Sequence, residues 1–451
     1  MAKDLTKGNP TKLLLQYSIP LLIGNVFQQF YSMADTIIVG KIMGKQKLAA
    51  VGSTGAIAFL VIGFLFGITG GFAVITAQRY GAKDEEGVRH SVATSIILCA
   101  ITTIVLTFLS LVTAMPLLKL MNTPSDIIND AYDYISVIYI GIACTMFYNM
   151  IACILRAIGD SKSPLYFLII SSILNIVLDF SFILNFHMGV AGAAWATVIS
   201  QGVSGVLCLL YARKKYPILR LQRKDFRIDL PFAAKHWKLG IPMALQFSIT
   251  AIGVMILQGA LNLFGSTKIA AYTAASKTDQ LVTQPAGTFG VAMANYAGQN
   301  LGAGRIDRIK EGVKRCSYLT LVFAVGAAAI LILFGRPMTN LFVDNKEVEV
   351  IESAQVYLNT IAVFLPALNL LFVYRNVLQG IGKSFMPLMA GVFELLARTV
   401  CAFTLPAIMG FTGICLAGPI AWLAAAIPLA ITYFIVIKKM MKEYTASENI
   451  G

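Results

Sequence analysis

Charged side chains are scarce in this chain of 451 residues. Asp, Glu, Lys and Arg together make up 13% of the sequence, whereas hydrophobic residues make up 57%. A soluble fold cannot bury that much apolar surface, so the composition excludes an ordinary soluble domain. It indicates an all-α protein that crosses a membrane many times, because the apolar runs are continuous rather than alternating.

Residues suited to covalent or metal chemistry are also scarce. The three histidines show no metal-binding spacing, and the seven cysteines contain no CxxC pair. Neither a GxSxG motif nor a phosphate-binding loop is present. We therefore expect no enzyme activity, no cofactor and no resident metal.

The positive charge has a simple distribution along the chain. The net charge is +14, and most of the 36 Lys and Arg residues fall in segments that face the cytoplasm if residue 1 does. This positive-inside bias predicts a multi-pass protein of the plasma membrane with both termini in the cytoplasm. It makes nucleic acid an improbable partner.

Twelve apolar runs are long enough for a helix to span the membrane, since a span needs roughly 20 residues. They lie near residues 14–38, 54–77, 92–114, 130–152, 165–185, 190–211, 239–262, 280–299, 317–335, 352–373, 387–409 and 414–437.

An internal repeat divides these runs into two groups of six. The segment 155–164 (LRAIGDSKSP) recurs as 378–387 (LQGIGKSFMP), and 78–82 (QRYGA) recurs as 299–303 (QNLGA). Six is even, so both halves enter the membrane from the same side as parallel repeats, an architecture typical of alternating access. The predicted division is a six-helix lobe, a basic cytoplasmic linker and a second six-helix lobe, at residues 1–211, 212–238 and 239–451.

Three acidic residues fall well inside the apolar runs: Asp35, Asp179 and Glu394. A carboxylate in hydrocarbon is expensive, so each is a candidate ion or proton site. At ~1.5 Å per residue, Asp179 lies roughly 22 Å from the inner end of its helix, in the outer half of the membrane. Asn175 lies one turn below it on the same face.

Other polar side chains of the first half reach a similar depth on three further spans: Asp35, Tyr134 and Thr197. With Asn175 and Asp179 they could replace the hydration shell of a small hard cation. Alternatively, an aspartate there could carry a proton. A third interpretation is hydrogen bonding that holds helices together.

Glu394 differs because Arg398 follows it at i+4. The two form either a structural ion pair or a polar site of the C-terminal half that serves substrate or coupling. Lys277 and Asp279 are expected to be a solvated pair. Pro20, which opens the first span as Pro242 opens the seventh, permits a bend or simply starts a helix.

The arrangement resembles the multidrug and toxic compound extrusion family over nearly the whole chain. Besides the six plus six spans, the segments that carry the resemblance are 175–179 (NIVLD), 189–197 (GVAGAAWAT), 156–160 (RAIGD), 299–303 (QNLGA), and Asp35 followed by Val39 and Gly40.

The resemblance implies a monomeric antiporter that expels cationic or amphipathic small molecules in exchange for H+ or Na+, surrounded by membrane lipid. In the family the residues matching Asp35, Tyr134, Asn175, Asp179 and Thr197 form the cation-coupling site. The match of Pro20 is where the first helix bends.

The composition of the seventh span bears on which branch of the family the chain resembles. It carries no acidic residue, so the chain looks closer to the DNA-damage-inducible branch than to the norfloxacin-resistance branch. An alternative is a flippase for a lipid-linked oligosaccharide or polyprenyl-pyrophosphate. Such proteins line their cavity with cations, whereas Arg398 is the single mid-span cation that we predict here.

Overall fold

The structure is a computed structural model, and it describes residues 3–343 and 346–448. Within these ranges the chain forms helices joined by turns, without a β-strand. Long apolar helices are expected because each satisfies its backbone hydrogen bonds internally, as a lipid environment requires.

Eight α-helices begin in the first half of the chain. They are α1 Pro10–Met43, α2 Lys45–Ser53, α3 Gly55–Gly81, α4 Glu85–Leu120, α5 Ile128–Ile140, α6 Ile142–Ala157, α7 Lys162–Phe180 and α8 Gly189–Lys215. A π-helical turn, Ser181–Asn185, continues α7.

Seven α-helices follow in the second half. They are α9 Leu230–Leu261, α10 Ser266–Gly302, α11 Ile306–Thr339, α12 Val348–Gly380, α13 Phe385–Thr404, α14 Pro406–Met409 and α15 Phe411–Glu448.

The helices account for the twelve predicted spans. Among the described residues, nine helical segments are long and apolar enough to cross a membrane, and the pair α5 and α6, bent by 47°, adds a tenth. The remaining two are α1 and α10, whose 34 and 37 residues exceed the length a span needs. Polar residues lower the mean hydropathy of both helices.

Two compact units contain these helices. The N-terminal unit comprises Ile19–Ser248 with residues 3–4, and the C-terminal unit comprises Leu5–Ser18 with the described residues from Ile249 onward. The start of α1 thus packs within the C-terminal unit, and the start of α9 packs within the N-terminal unit. This division departs from the lobes predicted at 1–211 and 239–451.

The N-terminal unit shows why the start of α9 belongs to it. A Cβ on Gly67 would lie 2.4 Å from the Cα of Ala244, and one on Gly71 would lie 2.5 Å from the Cα of Gly240. Two backbones in such contact leave no space for a side chain at either glycine. The sequence repeat marks the duplicated halves, whereas these contacts decide where each segment packs.

The predicted linker, 212–238, is structured. Two short 3-10 turns, Pro217–Leu219 and Arg223–Phe226, precede α9. Asp225 is 2% exposed, and its main-chain oxygen lies 3.0 Å from Nδ1 of His90 on α4. The segment therefore packs on the N-terminal unit instead of running free, and the last part of the predicted linker is already α9.

In the C-terminal unit, α12 packs against α10, α11 and α15, and α13 packs against α15. The segment before α1 is held there by hydrogen bonds between its main chain and side chains of α10. The amide of Leu5 donates to Oε1 of Gln299 at 3.0 Å, and its carbonyl accepts from Nδ2 of Asn300 at 3.1 Å.

Candidate functional site

A hydrogen-bonded polar group links three helices of the N-terminal unit. Asn175 of α7 donates through Nδ2 to Oγ1 of Thr197 on α8 at 3.2 Å. Thr197 uses its own proton on the carbonyl of Ala193 at 3.2 Å. The hydroxyl of Tyr31 on α1 lies 3.4 Å from the same Oγ1 and acts as donor there. Thr197 therefore joins α1 and α7 to α8.

Two carboxyl groups lie beside this group without a fixed partner. Asp179 is 0% exposed, and neither of its oxygens has a hydrogen-bond donor among the described residues. Oδ1 of Asp35 is also buried and has no hydrogen-bond donor among the described residues. The two carboxyl groups interact electrostatically. No described Lys or Arg forms an ion pair with either. Their compensation must come from a proton or a mobile cation.

Tyr134 completes the predicted set. It packs against the apolar cluster of Ile38, Val39, Ile183 and Ala193, and its hydroxyl is within electrostatic range of Asp35 and Asp179. The structure thus brings all five residues of the predicted cation-coupling site into one neighbourhood of the N-terminal unit.

Two local irregularities shape this neighbourhood. The π-helical turn begins at Ser181, two residues after Asp179, and such turns often accompany functional sites. The break between α5 and α6 occurs at Gly141, where a Cβ would lie 2.1 Å from Cγ2 of Val198, the residue after Thr197. The bend therefore lets the span that carries Tyr134 approach α8 closely.

A cavity of about 80 Å³ with a mixed polar and apolar lining lies about one helical turn from this group in the N-terminal unit. Gln201, one turn beyond Thr197 on α8, and Gln28, about one turn before Tyr31 on α1, both line it, as do Asn149 and Pro20. The volume admits several water molecules beside polar partners. The cavity thus lies beside α1 and α8, between the level of Thr197 and Pro20.

Tyr31 was missed by sequence reasoning. It precedes Asp35 by one helical turn on α1, so the i, i+4 relation was a usable signal. Tyrosine is common in apolar spans, however, and the partner that gives Tyr31 its role is Thr197, on another helix.

In the C-terminal unit, the predicted ion pair of Glu394 and Arg398 is present at 2.7 Å. Glu394 also pairs with Arg375 of α12 at 2.9 Å. The prediction of a single mid-span cation is therefore wrong. Arg375 lies just beyond the apolar run 352–373, but α12 continues to Gly380 and buries it.

The expectation for Lys277 and Asp279 is also corrected. Lys277 is exposed, whereas Oδ1 of Asp279 is buried without a partner, and its Oδ2 lies 3.4 Å from the hydroxyl of Tyr357. Because α10 begins at Ser266, Asp279 lies well inside a helix and not at its end.

Metal chemistry has little support elsewhere. Among the described residues, no three His, Cys, Asp or Glu side chains group as metal ligands. The site beside Thr197 instead offers two carboxylates with amide and hydroxyl oxygens, a donor set suited to a hard monovalent cation or to a proton.

Comparison with known proteins agrees with this architecture. The sequence profile of the MatE family matches residues 20–181 and 242–404, one segment in each repeat. The chain belongs to the multidrug and toxic compound extrusion (MATE) family. It is therefore a multi-pass membrane transporter of the multidrug efflux type that acts on small molecules, and it is neither an enzyme nor dependent on a cofactor.

Individual relatives cover most of the chain. A probable multidrug resistance protein of Bacillus subtilis (strain 168) is 29% identical over 397 residues, 87% of each chain. An FAD transporter of Shewanella oneidensis is 23% identical over 420 residues, 91% of each chain. A crystal structure of a MATE protein in a bent conformation superposes with a TM-score of 0.90 at 25% identity, covering 99% of this chain and 100% of that one. A flippase function is not favoured by these matches.

Proposed function

We propose that the protein exports cationic and amphipathic compounds in exchange for inward H+ or Na+, and that Asp35 and Asp179 bind the coupling ion. Asn175, Thr197 and Tyr134 complete the site with neutral polar groups. The observation that carries the proposal is the burial of Asp179 with both oxygens lacking a donor or a fixed cation among the described residues.

Exchange follows from competition for the same negative charge. Two adjacent carboxylates in apolar helices repel each other, so a proton or Na+ is bound favourably there. A cationic substrate nearby is stabilised by the same charge. Each therefore weakens binding of the other, and this reciprocal coupling makes the ion gradient displace the substrate.

The proline inside α1 provides a way to transmit the change. Pro20 lies inside α1, ten residues after the start of the helix at Pro10. It removes one backbone hydrogen bond of the helix. It lines the cavity beside the site, and α1 passes from one compact unit to the other at Ser18 and Ile19. Loading of Asp35, on the same helix, then favours one α1 conformation over another.

The same proposal includes the setting. The positive-inside distribution supports a plasma-membrane location with both termini in the cytoplasm. Both units lie in one chain, so a monomer in membrane lipid suffices for alternating access. The absence of an acidic residue from the seventh span supports placement near the DNA-damage-inducible branch.

Ethidium export from vesicles tests the function, with proton and sodium gradients imposed separately. We expect at least one gradient to drive export by the unaltered protein. Asp179→Asn should reduce that export by ~100-fold or more, since it removes the charge and keeps the shape.

Asp279→Asn is the matched control, because it removes a partly buried carboxyl from the C-terminal unit and should keep export within about threefold. Normal gradient-driven export by the Asp179→Asn protein, at equal membrane expression, would reject the site assignment.

A further inference from the structure

Three charged side chains meet inside the C-terminal unit. Oε1 of Glu394 accepts from Nη2 of Arg398 at 2.7 Å, and Oε2 accepts from Nη2 of Arg375 at 2.9 Å. The three side chains are only 7–8% exposed. Arg375, Arg398 and Glu394 therefore form one buried charged group.

The charges in this group do not balance. Two guanidinium groups share one carboxylate, which leaves a net positive charge. Asp279 of α10 contacts Tyr357 and forms no ion pair with either arginine in the described structure. Because an uncompensated buried charge is strongly unfavourable, the group calls for an anion.

Each arginine also has a hydrogen-bond donor that is not used. The Nε–H groups of Arg375 and Arg398 are buried, and neither has an acceptor among the described residues. Nη1 of Arg398 faces Gly253 of α9, where an added Cβ would lie only 3.1 Å away. The missing side chain at Gly253 gives the guanidinium room. A free Nε–H on a charged guanidinium group is a donor that can bind an oxyanion such as a carboxylate.

We propose that Arg375 and Arg398 bind a carboxylate carried by the transported compound, with Glu394 as a positioning residue. The protein then exports zwitterions that bear both a cationic and an anionic group. This proposal rests on the export function proposed above and specifies its substrate class.

A matched pair of probes isolates the carboxylate: a zwitterionic fluoroquinolone and its methyl ester, which keeps the amine but loses the acid. Binding of each is measured by fluorescence on purified full-length protein in neutral detergent and phosphate-free buffer, without an ion gradient. The unaltered protein should bind the acid about tenfold more tightly than the ester, the effect of one charge-assisted contact.

Two variants remove one arginine each and leave the other paired with Glu394: Arg398→Gln and Arg375→Gln. Each should weaken binding of the acid about tenfold and change binding of the ester by less than twofold. Arg315→Gln, which alters an exposed arginine of the same unit, should change neither. The second arginine variant keeps the test valid if the first fails to fold.

Several outcomes would overturn the proposal. Equal binding of acid and ester by the unaltered protein would do so, as would parallel loss of both probes in the arginine variants, the result of a purely structural role. If phosphatidylglycerol or inorganic phosphate abolishes the acid preference, the group takes a lipid headgroup or free phosphate instead. Failure of the coupling proposal is seen separately, since Asp179→Asn should lose export but keep the acid preference.

Discussion

Helices α7 and α13 occupy equivalent places in the two repeats and carry opposite electrostatic arrangements. On α7, Asp179 interacts with the Asp35 carboxyl group, and no fixed cation among the described residues offsets their negative charge. On α13, the negative charge of Glu394 is paired with two positive charges, those of Arg398 and Arg375. Under the repeat, Arg398 matches Asn175, and Ala402 matches Asp179.

The difference shows that the two repeats of a duplicated fold can carry different functions. In the proposed function, the carboxylates of the N-terminal unit take a mobile partner, which suits a group that must load and unload an ion. The glutamate of the C-terminal unit has permanent partners, which suits a group that holds a geometry. Four predictions test this contrast.

The largest expected effect concerns stability after loss of one carboxylate. Glu394→Gln should lower the free energy of unfolding by about 3–5 kcal/mol, because it leaves two buried arginines without a counter-charge. Asp179→Asn should leave stability unchanged or higher, since it removes an uncompensated buried charge. Thermal unfolding of the detergent-solubilised proteins measures both, and equal destabilisation by the two variants would contradict the contrast.

A smaller effect is expected at the loop that follows α6, where the repeats also differ. Asp160 is 3% exposed and accepts hydrogen bonds from the hydroxyls of Ser163 and Tyr216, with Lys215 at 3.4 Å. The matching residue of the second repeat is Lys383. We expect Asp160→Asn to cost about 1–3 kcal/mol of stability and Lys383→Asn to cost almost nothing. Similar melting temperatures for the two variants would show that the loops are equivalent after all.

The same loop gives a pH dependence with a defined sign. Burial alone would raise the pKa of Asp160, but the hydrogen bonds from Ser163 and Tyr216 and the charge of Lys215 bring that pKa below its usual 3.8. Because the unfolded chain then binds the proton more tightly, the stabilisation is complete above about pH 4 and is lost as the pH falls through the folded value. The melting temperature of the Asp160→Asn protein should approach that of the unaltered protein in acid.

The smallest effect is predicted for Tyr31→Phe, which removes one hydroxyl from the group around Thr197. Loss of a net contribution of about 1 kcal/mol should raise the half-saturating concentration of the coupling ion about fivefold. Ion-dependent export in vesicles measures it. Tyr318→Phe, at a side chain exposed on α11, is the control, and the prediction fails if the two variants behave alike.

Much of this arrangement was predictable from the sequence. The apolar runs located the twelve spans because spanning helices need a fixed length of apolar residues, and each run lies within helical segments or at most one residue outside them. The helix ruler placed Asp35, Tyr134, Asn175, Asp179 and Thr197 at one depth, and the structure brings them together.

What the sequence could not supply depends on contacts between helices. Arg375 and Asp279 looked peripheral because hydropathy fades near them, yet α12 and α10 continue past those points. Arg375, the second partner of Glu394, and Thr197, the partner of Tyr31, lie on other helices, so no spacing along one helix predicts them. Likewise, the lobe boundaries inferred from the repeat ignore the close backbone contacts of Gly67 and Gly71.

The anchoring of residues 5–18 affects any attempt to split the protein. Leu5 is 1% exposed in the C-terminal unit, where Arg308 also reaches the carbonyl of Gly8 at 3.0 Å. A cut in the loop before α9 would leave this segment on the wrong fragment, and the start of α9 would be misplaced in the same way. Each half produced alone would lack a segment that packs within its own compact unit. Reassembly of co-expressed fragments therefore requires an exchange of end segments, as in a domain-swapped dimer.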